Sequence, residues 1–315
     1  MKWEKCGVIW TPQGDLPWAK SHATLPVAQV TASNRWSVYV SCRDEHGKSR
    51  IGRVELDVVS LPHKLPTVCR VDPAPVLSLG EPGTFDDSGV MPAWLISDGD
   101  LLRLYYIGWN VTGTVPYRLS IGVAISEDNG KTFHRYSPGP VIDRGPREPY
   151  FVTSPCVHKE NETWRMWYVS CTGWQEIKGR WEPAYHVKYA ESRDGIAWDI
   201  TGISCVDPGD GYAIARPCVF RHGDKYAMLY EHRSLVDYRT DVNQAYRIGY
   251  AESNDGIHWQ RMDDRVGIEY SQSGWDSEMM AYCWLQTHGN QTYLLYNGNG
   301  FGRSGFGLAR LAAWD

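Results

Sequence analysis

The sequence contains no apolar run that approaches the roughly 18 residues needed to cross a bilayer, so no membrane-spanning segment is expected. Residues 1–6 lack the apolar core of a secretion signal, which favours a cytoplasmic location. There is no basic tail or block of like charge, and the formal net charge is only −5. Nucleic acid is therefore not an expected partner, and neither is a membrane.

Cysteine motifs are also missing, since the eight cysteines include no Cys-x-x-Cys pair. Most of them lie in apolar, strand-like segments such as residues 40–42, 155–157 and 217–219. Buried free thiols are expected, and neither a disulfide framework nor a zinc site is predicted. No other spacing predicts a metal or a cofactor, because the candidate His and carboxylate ligands come from separate repeats.

Phenylalanine is scarce, with 6 residues against 15 Trp and 19 Tyr. Rings with a polar atom suit half-buried sheets and carbohydrate stacking, since the C–H face of a sugar packs on a ring while its hydroxyls need nearby donors. The alternative for each tryptophan is that it only fills space between sheets. The bias is compatible with a saccharide-binding protein.

One phrase recurs along the chain, in residues 121–133, 187–198 and 247–259. Each copy is a strand, a tight turn with Asp or Asn before Gly, and a second strand, which is typical of a hairpin because these turn residues tolerate positive φ. A second phrase begins at Pro26, Pro92, Pro155, Pro217 and Tyr282, at intervals of 66, 63, 62 and 65 residues. Five near-equal units of four strands predict an all-β fold, a single five-bladed β-propeller over residues 1–315 with four antiparallel strands per blade.

The last unit has only three strands before the sequence stops. Residues 3–8 resemble residues 198–203, the fourth strand of the third unit. We expect the N-terminal strand to complete the last blade, which leaves no free sheet edge.

In such a fold one face collects three places from each unit: the start of the first strand, the end of the second strand and the entry to the third strand. We expect the candidate site residues at these places. The candidates for catalysis are Asp87, Glu278, Asp44, Asp86, Glu231 and His22. Those for substrate binding are Arg43, Arg50, Trp109, Trp174, His186, Arg216, His232, Arg233, Arg247 and Asp276.

This mixture of residue types has a chemical logic. Paired carboxylates can divide into an acid and a base for glycosidic bond cleavage, with Asp87 and Glu278 as the leading pair. Arginines such as Arg43, Arg216, Arg233 and Arg247 can hold an anionic group bidentately. The alternative is an ion-pair network that only ties neighbouring blades together.

Two short motifs resemble known families. The turn phrase in residues 126–133 resembles the Asp-box of sialidases, where it is a structural turn. Residues 41–44, 49–52 and 85–87 are similar to the five-bladed glycosidase superfamily of arabinanases, invertases, levansucrases and β-mannoside phosphorylases. That resemblance implies an acidic base or nucleophile on an early blade, whereas unit one presents His22 there.

Three functions follow as hypotheses. The first is a glycoside hydrolase-like enzyme that acts on an anionic sugar by acid/base catalysis with protein carboxylates. The sugar would be phosphorylated, nucleotide-linked or uronic. The second is a glycoside phosphorylase, for which the resemblance implies a basic phosphate pocket and one protein acid. The third is a non-catalytic carbohydrate-binding protein of a polysaccharide pathway. All three take a saccharide or sugar phosphate as partner.

Overall fold

The computed structural model describes residues 1–314, and Asp315, the end of the predicted domain, lies outside the described residues. Twenty strands carry the fold. In chain order they are β1 (Lys2–Trp10), β2 (Ser21–Ala32), β3 (Arg35–Arg43), β4 (Ser49–Asp57), β5 (Thr67–Val71), β6 (Gly89–Asp98), β7 (Leu101–Val111), β8 (Tyr117–Ser126), β9 (His134–Arg135), β10 (Val152–Glu160), β11 (Thr163–Ile177), β12 (Arg180–Ser192), β13 (Trp198–Val206), β14 (Tyr212–His222), β15 (Lys225–Ser234), β16 (Arg247–Ser253), β17 (Gln260–Arg261), β18 (Ala281–His288), β19 (Gln291–Asn297) and β20 (Phe306–Ala313). A 3-10 turn (Asp263–Arg265) and a short helix, α1 (Asn299–Gly302), complete the described elements.

The strands form antiparallel sheets of four, as the repeats predict. β10 to β13 make one sheet, β14 to β17 a second, and β18 to β20 with β1 a third. The remaining strands form one eight-stranded sheet, in which a single parallel pair, Ser49 with Gly89, joins β2–β5 to β6–β9. β1 pairs with the outer edge of β20, which confirms the expected placement of the N-terminal strand.

The first strands of the repeats surround a central channel. β2 contacts β6, β6 contacts β10, β10 contacts β14, β14 contacts β18, and β18 contacts β2 again. Trp94 on β6 packs against the core clusters of four different regions, and its ring centroid lies 4.7 Å from that of Trp284. The channel is therefore packed by side chains around Trp94.

Three repeated turns contact the neighbouring repeat. In the turn at Asp194, the serine of the phrase, Ser192, accepts the Gly195 N–H at 2.9 Å, and the Asp194 carboxylate accepts two further backbone N–H groups. The Gly195 carbonyl then accepts the Tyr105 hydroxyl at 2.8 Å from another sheet. The turns at Asp128 and Asp255 are bonded in the same way, to Tyr39 and Trp167. The Asp-box-like turns thus have the structural role expected of them.

Candidate functional site

A cavity of about 300 Å³ opens at the end of the channel where the first strands begin. Its lining comes from every repeat and consists of Thr24, Leu25, Ser41, Arg43, Ser49, Met91, Ile107, Trp109, Tyr117, Leu119, Phe151, Thr153, Ser154, Val169, Tyr185, Ala215, Tyr238, Arg239, Tyr246, Tyr282 and Phe301. The first strands of all five units and the second strands β3, β7 and β11 contribute to this lining.

Bulges in the first strands shape the floor of this cavity. Leu25, Ser154 and Tyr282 have φ of 57°, 47° and 62°, and each lies where the pairing with the second strand shifts register. Non-glycine residues rarely adopt this left-handed conformation, and a bulge is one of the places that accommodates it. The bulges interrupt the alternation of side chains, and all three residues line the cavity.

Aromatic rings form one wall. Trp174 packs edge-on against Tyr117 and Phe151, with centroids 5.2 Å and 5.7 Å away. Trp109 lines the cavity, and its indole N–H donates to the Ser49 hydroxyl at 2.9 Å, which fixes the plane of the ring. Trp174 does not line the cavity but supports two residues that do.

The charged residues of the lining are both arginines, Arg43 and Arg239, and no described Asp or Glu lines the cavity. Arg239 donates to Glu182 from Nε at 2.9 Å and from Nη2 at 3.3 Å, and its guanidinium lies over the ring of Phe301 at 5.2 Å. Glu182 lies behind the lining. The cavity therefore presents rings, small hydroxyls and positive charge to a ligand.

His22 lies beside this positive charge. Its Nδ1 is 2.9 Å from the Ser21 hydroxyl oxygen. Burial lowers the pKa of His22 to about 4, and the charges of Arg43 and Arg303 act in the same direction. The imidazole is therefore neutral at neutral pH and does not offset the arginines.

Arg233 is buried behind the wall opposite Trp109. Its Nε donates to the hydroxyls of Tyr185 at 2.9 Å and Tyr246 at 3.2 Å, and those two hydroxyls contact each other. Its guanidinium also lies 3.7 Å from the Tyr238 ring centroid. Arg233 thus supports three tyrosines that line the cavity but does not reach a ligand there itself.

Two of the predicted carboxylates belong to a repeated structural unit. Asp86 is fully buried, where it accepts the Tyr106 hydroxyl at 2.9 Å and the Nε of Arg135 at 2.8 Å. Asp276 accepts the Tyr296 hydroxyl at 2.9 Å and pairs with Lys5 at 2.8 Å. In each case the tyrosine follows the carboxylate by 20 residues. Both carboxylates are fully engaged inside their own sheet and are absent from the lining.

Asp87 and Glu278, the predicted acid/base pair, are likewise outside the lining. The Asp87 carboxylate accepts the Asn110 amide and the Gly83 N–H, both at 2.9 Å. Burial raises the pKa of Asp87, but these hydrogen bonds outweigh it and hold the pKa below its ordinary value. The exposed Glu278 is held through its backbone, whose N–H donates to Asn299 at 2.7 Å. The structure does not bring this pair to the cavity.

Glu231 and Arg216 are both buried near the cavity floor, where the charge of each affects the pKa of the other. Glu231 is fully buried and accepts the Cys283 N–H at 2.9 Å, next to Tyr282 of the lining. Burial raises the pKa of Glu231 to about 7, although the charge of Arg216 opposes this. Arg216 donates to the Ala93 carbonyl at 3.3 Å. This carboxyl group lies close to the cavity without lining it.

The remaining candidates have partners outside the cavity. Asp44, in the loop that joins β3 to β4, pairs with Arg50 on β4 at 2.5 Å. Arg247 donates to the carbonyls of Tyr246 and Glu278.

The two remaining histidines are also held away from the cavity. His186 contacts the Ser204 hydroxyl at 3.0 Å, and His232 packs edge-on against the rings of Tyr212 and Tyr230. Of all the predicted site residues, Arg43 and Trp109 line the cavity itself.

Sequence reasoning missed Arg239 and the tyrosines Tyr185, Tyr238 and Tyr246, whereas Arg303 was expected at the entry to a third strand. Tyr185 directly precedes a predicted position, His186, and Tyr246 directly precedes Arg247. A register that differed by one residue would have found both. Arg239 lies in the irregular connection between β15 and β16, and no repeat pattern marks it.

Two further features are absent from residues 1–314. No group of three or more His, Cys, Asp or Glu side chains is arranged to hold a metal ion in this part of the chain. No helix formed by these residues has the length and apolarity needed to cross a membrane.

No protein-family model matches the chain. Two uncharacterized proteins of Mycobacterium tuberculosis, MT1551 and Rv1502, are 39% and 38% identical to it over 313 residues, which is 99% of this chain and 99% of each relative. The chain belongs to the Rv1502 family. Identity at this level over the whole length indicates that the Rv1502 family shares the fold described above.

Solved structures relate the Rv1502 family to a known fold. A glycoside hydrolase superposes with a TM-score of 0.73 at 17% identity and covers 98% of this chain and 90% of its own. A thermostable family-43 glycoside hydrolase gives 0.67 at 14% identity, with coverage of 92% and 88%. The Bombyx mori GH32 β-fructofuranosidase BmSUC1 gives 0.62 at 16% identity, with coverage of 98% and 61%. These superpositions show a shared fold, the β-propeller of glycoside hydrolases, and confirm the predicted resemblance.

Proposed function

We propose that residues 1–315 form a single five-bladed β-propeller whose funnel binds an anionic saccharide. The closed circle of contacts among β2, β6, β10, β14 and β18 supports five blades. The eight-stranded sheet then counts as two blades, because a single parallel residue pair is the one strand-to-strand pairing between its halves in the described residues. The cavity at the end of the channel is the binding site.

The observation that carries the proposal is the composition of the cavity lining. Trp109, Tyr117 and other rings offer flat apolar faces, while hydroxyls such as Ser154 offer hydrogen bonds. Sugars need this combination, because their C–H faces pack on rings and their hydroxyls require polar partners. Arg43 and Arg239 add positive charge without a carboxylate in the lining, so an anionic sugar is favoured over a neutral one.

Among the three predicted functions, saccharide binding fits this geometry best. Hydrolysis needs two carboxyl groups that flank the scissile bond, and neither Asp87 nor Glu278 lines the cavity. Phosphorolysis is the second candidate, because the arginines of the lining suit phosphate, and its one protein acid would come from outside the lining. Catalysis by the Asp87–Glu278 pair, the cytoplasmic location and the polysaccharide pathway stay predictions.

The binding proposal can be tested by calorimetry on the full chain with a panel of sugar phosphates, nucleotide sugars and uronic sugars. Trp109→Ala is expected to weaken binding of any panel member that binds by about tenfold, since stacked rings dominate such contacts. Trp181→Ala is the matched control, because Trp181 is 40% exposed and does not line the cavity. Equal affinities for both variants, or no binding at all, would contradict the proposal.

Product analysis then separates binding from turnover. A bound saccharide is incubated with the protein with and without inorganic phosphate. A sugar 1-phosphate formed only with phosphate would support the phosphorylase. Products in phosphate-free buffer that disappear in Asp87→Asn and Glu278→Gln would support the hydrolase. An unchanged saccharide would support the binding function.

A further inference from the structure

Two guanidinium groups near the rim of the cavity have no partner. Arg43 lines the cavity, and both Arg43 and Arg303 are exposed. No described residue forms a side-chain hydrogen bond or an ion pair with either one. Burial lowers the pKa of Arg43, and the charges of Arg303 and Arg239 add to this effect. Three positive charges therefore lie close enough to repel one another.

The charged group buried behind the tyrosines of the lining is also positive. Arg233 is 1% exposed and is surrounded by the rings of Tyr185, Tyr238 and Tyr246, with hydroxyl and carbonyl oxygens as its hydrogen-bond partners. A buried guanidinium is normally paired with a carboxylate, because an isolated buried charge is costly. Glu182 is the carboxylate of this wall, and Arg239 takes both of its oxygens.

The net charge of the groups around the cavity is strongly positive. Arg43, Arg233, Arg239 and Arg303 face one carboxylate, Glu182. A uronic acid would bring a single negative charge, whereas a phosphate monoester carries about 1.5 to 2 at pH 7 and three acceptor oxygens. Guanidinium forks also match phosphate geometry bidentately.

We infer that the cavity takes a saccharide that bears a phosphate group, with the phosphate between Arg43 and Arg303 and the sugar on the aromatic wall. This inference rests on the proposed function and names its ligand class. Arg239 lies on the inner side of the phosphate, where Glu182 and the Phe301 ring hold it in place. Free phosphate, a sugar phosphate and a nucleotide-linked sugar share this chemistry.

His22 provides a reporter that does not depend on turnover. Its imidazole senses Arg43 and Arg303, which contribute to its low pKa of about 4. An anion bound between these arginines offsets part of their field and so raises the pKa of His22. The titration can be followed by NMR on the full chain, with the His22 signal identified by its loss in His22→Gln.

The experiment compares inorganic phosphate and pyrophosphate with glucuronate and acetate, by His22 titration and by calorimetry. Phosphate and pyrophosphate are expected to raise the pKa of His22. At pH 7, where both carry more than one negative charge, they should also bind at least tenfold more tightly than glucuronate and acetate. Arg43→Met and Arg303→Met should each weaken pyrophosphate binding by about tenfold, and higher salt should weaken it further. Arg50→Met is the control, because Arg50 is paired with Asp44 outside the cavity, and it should bind like the wild type.

Several results would overturn the inference. Binding of uronic sugars without binding of phosphate would leave the proposed function standing and remove the phosphate site. Equal phosphate affinity in the wild type, Arg43→Met and Arg303→Met would place the anion elsewhere. No binding of phosphate and no binding of any saccharide in the panel would contradict both proposals together.

Discussion

Two ionisable residues at the centre of this propeller lie where water does not reach. Arg216 and Glu231 are 2% and 0% exposed and lie directly beneath the cavity floor. An isolated buried charge is costly, so a guanidinium such as that of Arg216 depends on the polar groups around it. We expect these two residues to control stability more than ligand contact.

The raised pKa of Glu231 predicts a specific pH dependence. In the folded protein the group keeps its proton up to about pH 7, whereas the unfolded chain releases it near pH 4.5. The stability that this proton contributes is present below about pH 4.5 and is lost as the pH rises through about 7. Glu231→Gln cannot ionise, so the free energy of unfolding of the wild type should fall by roughly 2 kcal/mol relative to this variant between about pH 5 and pH 8.

Urea denaturation at several pH values would measure this difference. Asp87→Asn is the control, because the pKa of Asp87 lies below its ordinary value and the group does not titrate in this range. Its stability should run parallel to the wild type from about pH 5 to pH 8. A wild-type curve that also runs parallel to Glu231→Gln would show that Glu231 is ionised throughout.

At the scale of elements, the Asp-Gly turns connect neighbouring sheets as well as their own strands. Gly195 has φ of +74°, and a Cβ there would lie 2.7 Å from the Tyr105 hydroxyl oxygen. Glycine is needed both for its backbone conformation and for the close approach of the tyrosine from another sheet. The turn therefore packs directly against a strand of another sheet.

Two alanine substitutions separate these requirements. Gly179 has nearly the same φ of +75°, but nothing lies within 4 Å of a Cβ at that position. Gly179→Ala should cost about 1 kcal/mol, the strain of a left-handed residue alone. Gly195→Ala should cost at least about 1 kcal/mol more, since it also displaces the Tyr105 hydrogen bond. Thermal and chemical denaturation would compare the two, and equal losses would show that the contact between sheets contributes little.

At the scale of the whole molecule, the two ends of the described chain close the ring. β1 completes the sheet of β18 to β20, and Lys5 on β1 also pairs with Asp276. Trp3 is 8% exposed, and its indole N–H donates to the Val266 carbonyl at 3.0 Å. Loss of this strand would expose the edge of β20, and exposed edges favour self-association.

Trp3→Ala tests this closure. We expect it to lower the free energy of unfolding by about 3–5 kcal/mol, because a buried ring is replaced by a cavity, and to increase self-association. Val8→Ala, on the same strand but at a 39% exposed position, should change stability by less than about 1 kcal/mol. Denaturation and size-exclusion chromatography give both readouts. Equal behaviour of the two variants would mean that β1 is dispensable.

The sequence by itself determined the repeat. Turn residues such as Asp194-Gly195 depend on local backbone preferences, and the alternation of apolar residues depends on local geometry, so both can be read without knowledge of distant contacts. The four-stranded units, the structural turns and the pairing of β1 with β20 followed from these signals and are present in the structure.

Only the tertiary structure decided which polar residues meet. Asp86 and Asp276 have the sequence signature of site residues. In the structure, however, each carboxylate accepts a hydrogen bond from a tyrosine 20 residues later and forms an ion pair with a cation from another strand. Arg239 has no repeat signature and reaches the cavity from a long connection. Long-range strand pairing and bulge geometry set these positions. A shift of one residue in the pairing register moves a side chain from one face of the strand to the other.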